Sequence, residues 1–225
     1  MFILAKKLIS FLFDGILAGF MIGIGAIVFM SSDNRYIGAF LFSLGLFSVV
    51  CFKYGLFTGK VGYIVNREKA YITEVAVTLV ANLIGTFAAA FMFRASRFRT
   101  VLVSGLDVNA CDRAKASMLA KINDSLLSSF MLAIFCGLLM FTAVEAYRKC
   151  KEENNFSGAV FGVVFPVVVF IICGFNHCIA DMAYYFMAGC PEVSKALPYF
   201  VVVILGNSVG GMIVPLFKKL SVNPL

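Results

Sequence analysis

Long apolar runs, each cut short by a few polar residues, organise this chain from end to end. The first, from about Leu8 to Met30, places Gly15, Gly19 and Gly23 four residues apart, a bare stripe suited to close helix contact. After Ser31-Ser32-Asp33-Asn34 a second run covers Tyr36 to Phe52. It breaks at Lys53-Tyr54-Gly55-Leu56-Phe57-Thr58-Gly59-Lys60 and resumes at Val61 to Val65. The third run is Tyr71 to Phe93, the fourth Ser125 to Tyr147, and the sixth Leu197 to Phe217, with Gly206-Asn207 and Gly210-Gly211 at its centre. The fifth, from Ser157 to about Ala188, exceeds the about 20 residues that one span needs. Pro166 and the polar cluster Gly174-Phe175-Asn176-His177-Cys178-Ile179-Ala180-Asp181-Met182 interrupt it.

Residues 94–124 form the one long polar connector, and from Asn109 on it lacks Gly and Pro, which predicts a short surface helix. Cutting the chain there leaves two halves of three spans, 1–93 and 125–225. Three is odd, so the halves have opposite orientation. In each, the middle span is broken and the third carries an Asn/Gly signal, Ala81-Asn82-Leu83-Ile84-Gly85 and Leu205-Gly206-Asn207-Ser208-Val209-Gly210-Gly211. Inverted repeats with broken helices are a common way to build a transport site at the membrane midplane. The pattern therefore predicts an all-α membrane protein of six transmembrane helices in a 3+3 inverted repeat, second and fifth broken, as one domain over residues 1–225.

Composition agrees with that class. The chain is 61% hydrophobic and 14% charged, against about 25% charged in soluble domains. Its net charge of +7 is spread over many loops, which argues against nucleic acid and for anionic lipid headgroups and small anions as partners. Eleven basic residues fall on the amino-terminal side (Lys6, Lys7, Lys53, Lys60, Arg67, Lys69, Arg148, Lys149, Lys151, Lys218 and Lys219) and eight on the other, six of these in the connector. The positive-inside rule then puts both termini in the cytoplasm and the connector outside. The expected location is a bacterial inner (plasma) membrane. With no Trp, Tyr36, Tyr71, Tyr147 and Tyr199 near span ends stand in for the interfacial aromatic belt. The seven cysteines, without a CxxC pair, read as small buried hydrophobes.

His177 is the chain's one histidine, and an ionisable group at mid-membrane is a functional candidate by default. The bland alternative is a histidine satisfied by a backbone carbonyl within a bundle. No nucleophile–base or metal constellation accompanies it, so neither an enzyme nor a cofactor is expected.

These residues resemble the formate/nitrite transporter family of pentameric anion channels. Phe42-Ser43-Leu44-Gly45-Leu46 with Leu56-Phe57-Thr58-Gly59 is similar to the family's second span and Leu-Phe-Thr loop. Pro166, Phe170 and Gly174 through Met182 are similar to its Pro-x-x-x-Phe and Gly-Phe-Glu-His-Ser-x-Ala-Asn-Met stretch. Gly15-Ile16-Leu17-Ala18-Gly19-Phe20 and Gly206-Asn207 resemble its first and last spans. The resemblance implies an aquaporin-like fold, five subunits, and a pore in each with two hydrophobic constrictions, Phe42, Leu46, Leu56 and Phe170, around a central His177 bonded to Thr58. It also implies pore or vestibule positions for Asn207 and Lys121. Without it, the four constriction residues are ordinary core residues of an apolar protein.

The departures concern the substrate. Asn176 replaces the family's Glu, Cys178 its Ser, Asp181 its Asn, Lys60 the Asn of Thr-Gly-Asn, and Gly137 an Asn common in span 4. The Lys-Tyr-x-Leu-Phe-Thr-Gly-Lys form most resembles the hydrosulfide-channel branch. A bare anion between apolar rings loses its hydration, whereas protonating it first costs about 4 kcal/mol at pH 7 for a model carboxyl and close to nothing for an acid with a pKa roughly at neutrality. A histidine can hydrogen-bond the anion or lend it a proton midway. The expected function is thus a passive channel for small monovalent weak-acid anions, hydrosulfide, formate or nitrite. The alternative is a proton-coupled carrier on the same fold. Because intramembrane charges tend to pair, Lys60 and Asp181, each just past a break, are expected to form a buried ion pair or share a hydrogen-bonded network; the alternative is that Lys60 snorkels to the cytoplasmic interface and Asp181 bonds backbone amides separately.

Overall fold

The computed structural model describes residues 2–100, 102 and 106–221, without the side chains of residues 2–7; those of Lys6 and Lys7 therefore lie outside the described residues. The described residues form nine α-helices: α1 (Phe2–Met30), α2 (Arg35–Cys51), α3 (Phe57–Lys60), α4 (Ala70–Ala95), α5 (Ala110–Ile122), α6 (Leu126–Glu152), α7 (Phe156–Cys173), α8 (Cys178–Met187) and α9 (Val193–Leu220). A 3-10 turn over Val61–Asn66 continues α3. The Leu8–Met30 part of α1, together with α4, α6, α7 and α9, is long and apolar enough to cross a membrane, and α2 is a shorter apolar helix of 17 residues.

The polar punctuation between the runs sets where helices begin. The side chains of Asn34, Asn109, Ser125 and Asn155 accept N–H groups of the first turns of α2, α5, α6 and α7, which would otherwise lack partners. Pro166 lies inside α7 without ending it. The helix ends instead at Gly174, whose φ of 71° is left-handed. Arg35 Nη2 donates to the last carbonyls of that end, Ile171 and Ile172, and Arg94 Nη1 donates to the Met187 carbonyl at the end of α8.

Two helix pairs, α1 with α4 and α6 with α9, form the closest packing, and both are made by glycine in the same way. A Cβ on Gly19 would overlap the backbone of Asn82, and a Cβ on Gly137 would overlap the backbone of Asn207. Gly85 meets the Ile16 carbonyl, and Gly210 the Ile134 carbonyl. The stripe on the first run thus has a counterpart divided between α6 and α9. Gly137, read as a departure bearing on substrate, is placed by the structure at a helix–helix contact.

Two expectations need correcting. Tyr199 is 1% exposed, because its side chain turns into the bundle, where its hydroxyl bonds Asp181 of α8. The cysteines divide: Cys111, Cys136 and Cys178 are buried, but Cys173, the last residue of α7, and Cys190, three residues past α8, are exposed.

The glycine contacts predict the effect of one added methyl. Gly19→Ala and Gly137→Ala should each destabilise the protein by about 1–3 kcal/mol through overpacking. Gly174→Ala meets no atom within 4 Å and carries only the left-handed penalty, about 1–2 kcal/mol. Thermal unfolding in detergent reads all three, and wild-type melting of Gly19→Ala or Gly137→Ala would contradict the packing argument.

Candidate functional site

The site is built on two residues at which a helix has stopped and the next has not begun. Leu56, with φ −111° and ψ 128°, precedes α3; His177, with φ −110° and ψ 108°, precedes α8. Extended backbone leaves the flanking peptide groups outside the helical ladder, and two asparagines satisfy them identically. Asn82 on α4 accepts Phe57 N–H and donates to the Gly55 and Gly15 carbonyls, each at 2.8 Å. Asn207 on α9 accepts Cys178 N–H at 2.9 Å and donates to the Asn176 and Ala133 carbonyls, both at 2.8 Å. Each asparagine therefore brackets one residue, Leu56 or His177. Asn207, expected among the pore-lining groups, uses both amide hydrogens on backbone, so the structure makes it a clamp.

His177 and Thr58 meet, with Nε2 3.2 Å from Thr58 Oγ1, and both are buried. The backbone fixes the tautomer. Ala180 N–H donates to His177 Nδ1 at 3.1 Å, so Nδ1 is the acceptor and the proton of the neutral ring is on Nε2. That N–H donates to Thr58, whose own hydroxyl hydrogen stays available. An imidazolium would need a second proton on Nδ1, directed against Ala180 N–H at the positive end of the α8 dipole. Of the two roles expected for His177, hydrogen-bonding an anion fits this geometry and lending it a proton does not.

A cavity lies on either side. The larger, about 1560 Å³, has Leu56 in its wall together with Lys53, Lys60, Glu74, Glu145 and Arg148. The smaller, about 310 Å³, has Phe170 in its wall with Arg35, Arg113, Lys121 and Asp181. They lie at opposite ends of α2, which enters the smaller wall at Arg35 and reaches the larger at Val49 and Val50. Phe170 packs on the His177 ring, centroids 5.4 Å apart, and edge-on against Phe42 at 5.6 Å. Phe42, Leu46, Leu56 and Phe170 are all buried.

Lys60 and Asp181 do not pair. Lys60 Nζ bonds Glu74 at 2.7 Å, while Asp181 bonds Lys121 Nζ at 2.6 Å and accepts the Tyr199 hydroxyl at 2.8 Å. The physical reason is direction: α3 and α8 both start beside the Thr58–His177 contact, and each runs away from it towards its own cavity. A residue two or four positions past a break has already left the centre. The larger cavity also holds a network that the sequence reading missed, with Glu145 accepting from the Tyr63 hydroxyl at 2.7 Å and from Arg148.

Apolar helices of spanning length around a buried polar contact, with a cavity on either side, define an all-helical integral membrane protein. The chain belongs to the formate/nitrite transporter family, whose profile matches residues 3–218. It is 26% identical to a formate-nitrite transporter of Plasmodium malariae, across 96% of this chain and 75% of that protein. It is 25% identical to the formate channel FocA of Haemophilus influenzae, across 79% of this chain and 65% of that one. Among solved structures, a pentameric formate channel with formate bound superposes with a TM-score of 0.75 at 23% identity, over 96% of this chain and 97% of that chain. An FNT family ion channel does so at 0.79 and 19% identity, over 93% and 88%. Both have the fold described above.

Neither asparagine has a partner within its own helix turn, so each should matter far more than an ordinary polar residue. Asn82→Ala or Asn207→Ala would strand the two buried backbone groups at its break, the Gly15 or Ala133 carbonyl keeping its place in the ladder of α1 or α6, and each stranded group costs about 1–3 kcal/mol. Loss of folded protein on size-exclusion chromatography, or a large drop in melting temperature, is the expected result for either variant; a small shift would contradict the clamp assignment.

Proposed function

We propose that this chain is a passive channel for small monovalent weak-acid anions, hydrosulfide, formate or nitrite, with one pore in each subunit of a homopentamer. In this reading α2 with α3 and its following turn, and α7 with α8, each make one interrupted crossing. That gives six crossings in two inverted halves, 1–93 and 125–225, joined by connector 94–124 outside. Both termini are then cytoplasmic in a bacterial plasma membrane, and the larger cavity is the inner mouth. The five basic residues in its wall, Lys53, Lys60, Arg67, Arg148 and Lys151, support that orientation. The relatives named above, a formate channel and formate-nitrite transporters, support the substrate class.

The observation that carries the proposal is the Thr58–His177 hydrogen bond, buried between a cavity with Leu56 in its wall and a cavity with Phe170, packed on Phe42, in its wall. An ion passing between apolar side chains sheds water and needs a donor midway. The hydroxyl of Thr58 supplies one at once, and Nε2–H of His177 supplies a second when it turns from the Thr58 oxygen to the ion. Since His177 is held as the Nε2–H tautomer, any proton that travels with the anion comes from the aqueous mouths. A weak acid with a pKa roughly at neutrality takes up that proton at almost no cost, whereas a model carboxyl needs about 4 kcal/mol at pH 7. This ordering favours hydrosulfide over formate and nitrite.

Flux in proteoliposomes, with the three anions compared side by side, tests the proposal. Passive, gradient-driven flux is expected; saturation with strict coupling to the proton gradient would establish a carrier in its place. Leu56→Val and Phe170→Ile should raise flux by relieving dewetting at the constrictions, and equal or lower flux in folded protein would put the barrier elsewhere. His177→Asn keeps a side-chain oxygen to cap α8 but removes the Nε2 donor. It should fold and conduct at least about tenfold less, the loss expected for one charge-assisted hydrogen bond. Unaltered flux and selectivity would remove His177 from the conduction path.

A further inference from the structure

The smaller cavity contains three cations, and the structure treats one of them differently. Arg35 and Arg113 are met by backbone carbonyls, of Ile171 and Ile172 for the first and of Ser32 for the second. Lys121 is met by a carboxylate: its Nζ lies 2.6 Å from Asp181 Oδ1, and the other carboxylate oxygen is held by Tyr199 at 2.8 Å. The Asp181 side chain is 1% exposed and that of Lys121 19%, so the acid is fixed in the wall while the ammonium reaches the cavity. Asp181 is the first turn of α8 after His177, which places the pair between the mouth and the central donor, in the same cavity wall as Phe170.

We propose that Asp181 is a selectivity determinant: by cancelling the charge of Lys121 it leaves the cavity a hydrogen-bond donor with little net field, favouring acids that cross protonated over anions that stay charged. This rests on the channel reading. A lone ammonium in a low-dielectric recess attracts any anion strongly, whatever its basicity. Paired at contact distance, the same ammonium acts beyond a few ångströms as a dipole, whose field falls off faster. Its two remaining N–H groups still bond a substrate atom. What the pairing removes is the general preference for charge. A carboxylate such as formate, costly to protonate at this pH, loses most by that, and an anion whose conjugate acid is weaker, such as hydrosulfide, loses least. The family's usual Asn at this position would leave Lys121 unmatched.

The test is the ratio of formate to hydrosulfide flux into phosphatidylcholine proteoliposomes at mildly alkaline pH, each corrected for protein-free vesicles. Asp181→Asn should raise the ratio by about tenfold or more, the scale of one unmasked charge near the path. Lys121→Gln leaves the acid uncompensated and should lower it. Lys121→Gln with Asp181→Asn should return it to near the wild-type value. A ratio that stays within about twofold of wild type in Asp181→Asn overturns the inference. If that variant does not fold, an unchanged ratio in Lys121→Gln overturns it instead. Wild-type protein that passes neither anion would refute the channel reading, an outcome distinct from a fixed ratio in a working channel. A purely structural role for the pair would lower both fluxes together and leave their ratio in place, and that result also counts against the proposal.

Discussion

Everything in this molecule depends on keeping backbone groups satisfied where a helix stops inside an apolar protein. A peptide group without a partner in hydrocarbon costs several kcal/mol, so an interruption survives only where something rigid reaches it. Asn82 and Asn207 are that something. Each donates to two carbonyls and accepts one amide, and each gets close enough because its helix backbone rests on a glycine of the neighbouring helix, Gly19 or Gly137. The order of cause runs from glycine to helix approach, from approach to clamp, and from clamp to an exactly extended residue at the centre. His177 can face Thr58 because the chain beside it is fixed on both sides.

Charge follows the same economy of placement. Every basic residue described along the smaller cavity has a defined partner, and two of them close the open end of α7 or the turn after α1. In the larger cavity Lys60 and Glu74 pair, and Glu145 joins Tyr63 to Arg148, tying the turn after α3 to the end of α6. The two cavities are thereby unlike: one has full ion pairs spread over a wide space, the other is a narrow recess with a single matched pair.

Much of this was legible in the sequence, for reasons that can be named. Apolar runs of spanning length mark membrane helices because hydrocarbon admits little else, and the run that overshot one span held the stretch where α7 gives way to α8. The Asn/Gly signals on the third and sixth runs were visible as a matched pair. What they hold was not, because their partners lie 25 and 27 residues away for Asn82 beyond its own helix, and 74 for Asn207 on α6. The Lys60–Asp181 pairing failed for a related reason. Distance from a break is readable in sequence, but whether the next helix leads towards or away from a partner is a fact of three dimensions. Tyr199 failed because a tyrosine near a span end looks interfacial until a buried acceptor, here Asp181, draws its hydroxyl inward. Phe42, Leu46, Leu56 and Phe170 carry no periodic mark and were separable from other core residues only by family resemblance.

The two clamps bracket positions of the same backbone shape with opposite contents, Leu56 in one and His177 in the other. In the channel proposed above, a duplicated frame offers room for two polar stops in series, and this chain furnishes one. Pores with several adjacent stops can bind each ion firmly and still conduct quickly, because an arriving ion expels the one ahead. With a single stop that cooperation is absent, and residence at the centre is ended only by thermal escape. Affinity and throughput are then tied together: whatever strengthens the hold of His177 and Thr58 on an ion lengthens its stay in the same proportion, and a fast conductor of this design must bind its cargo weakly.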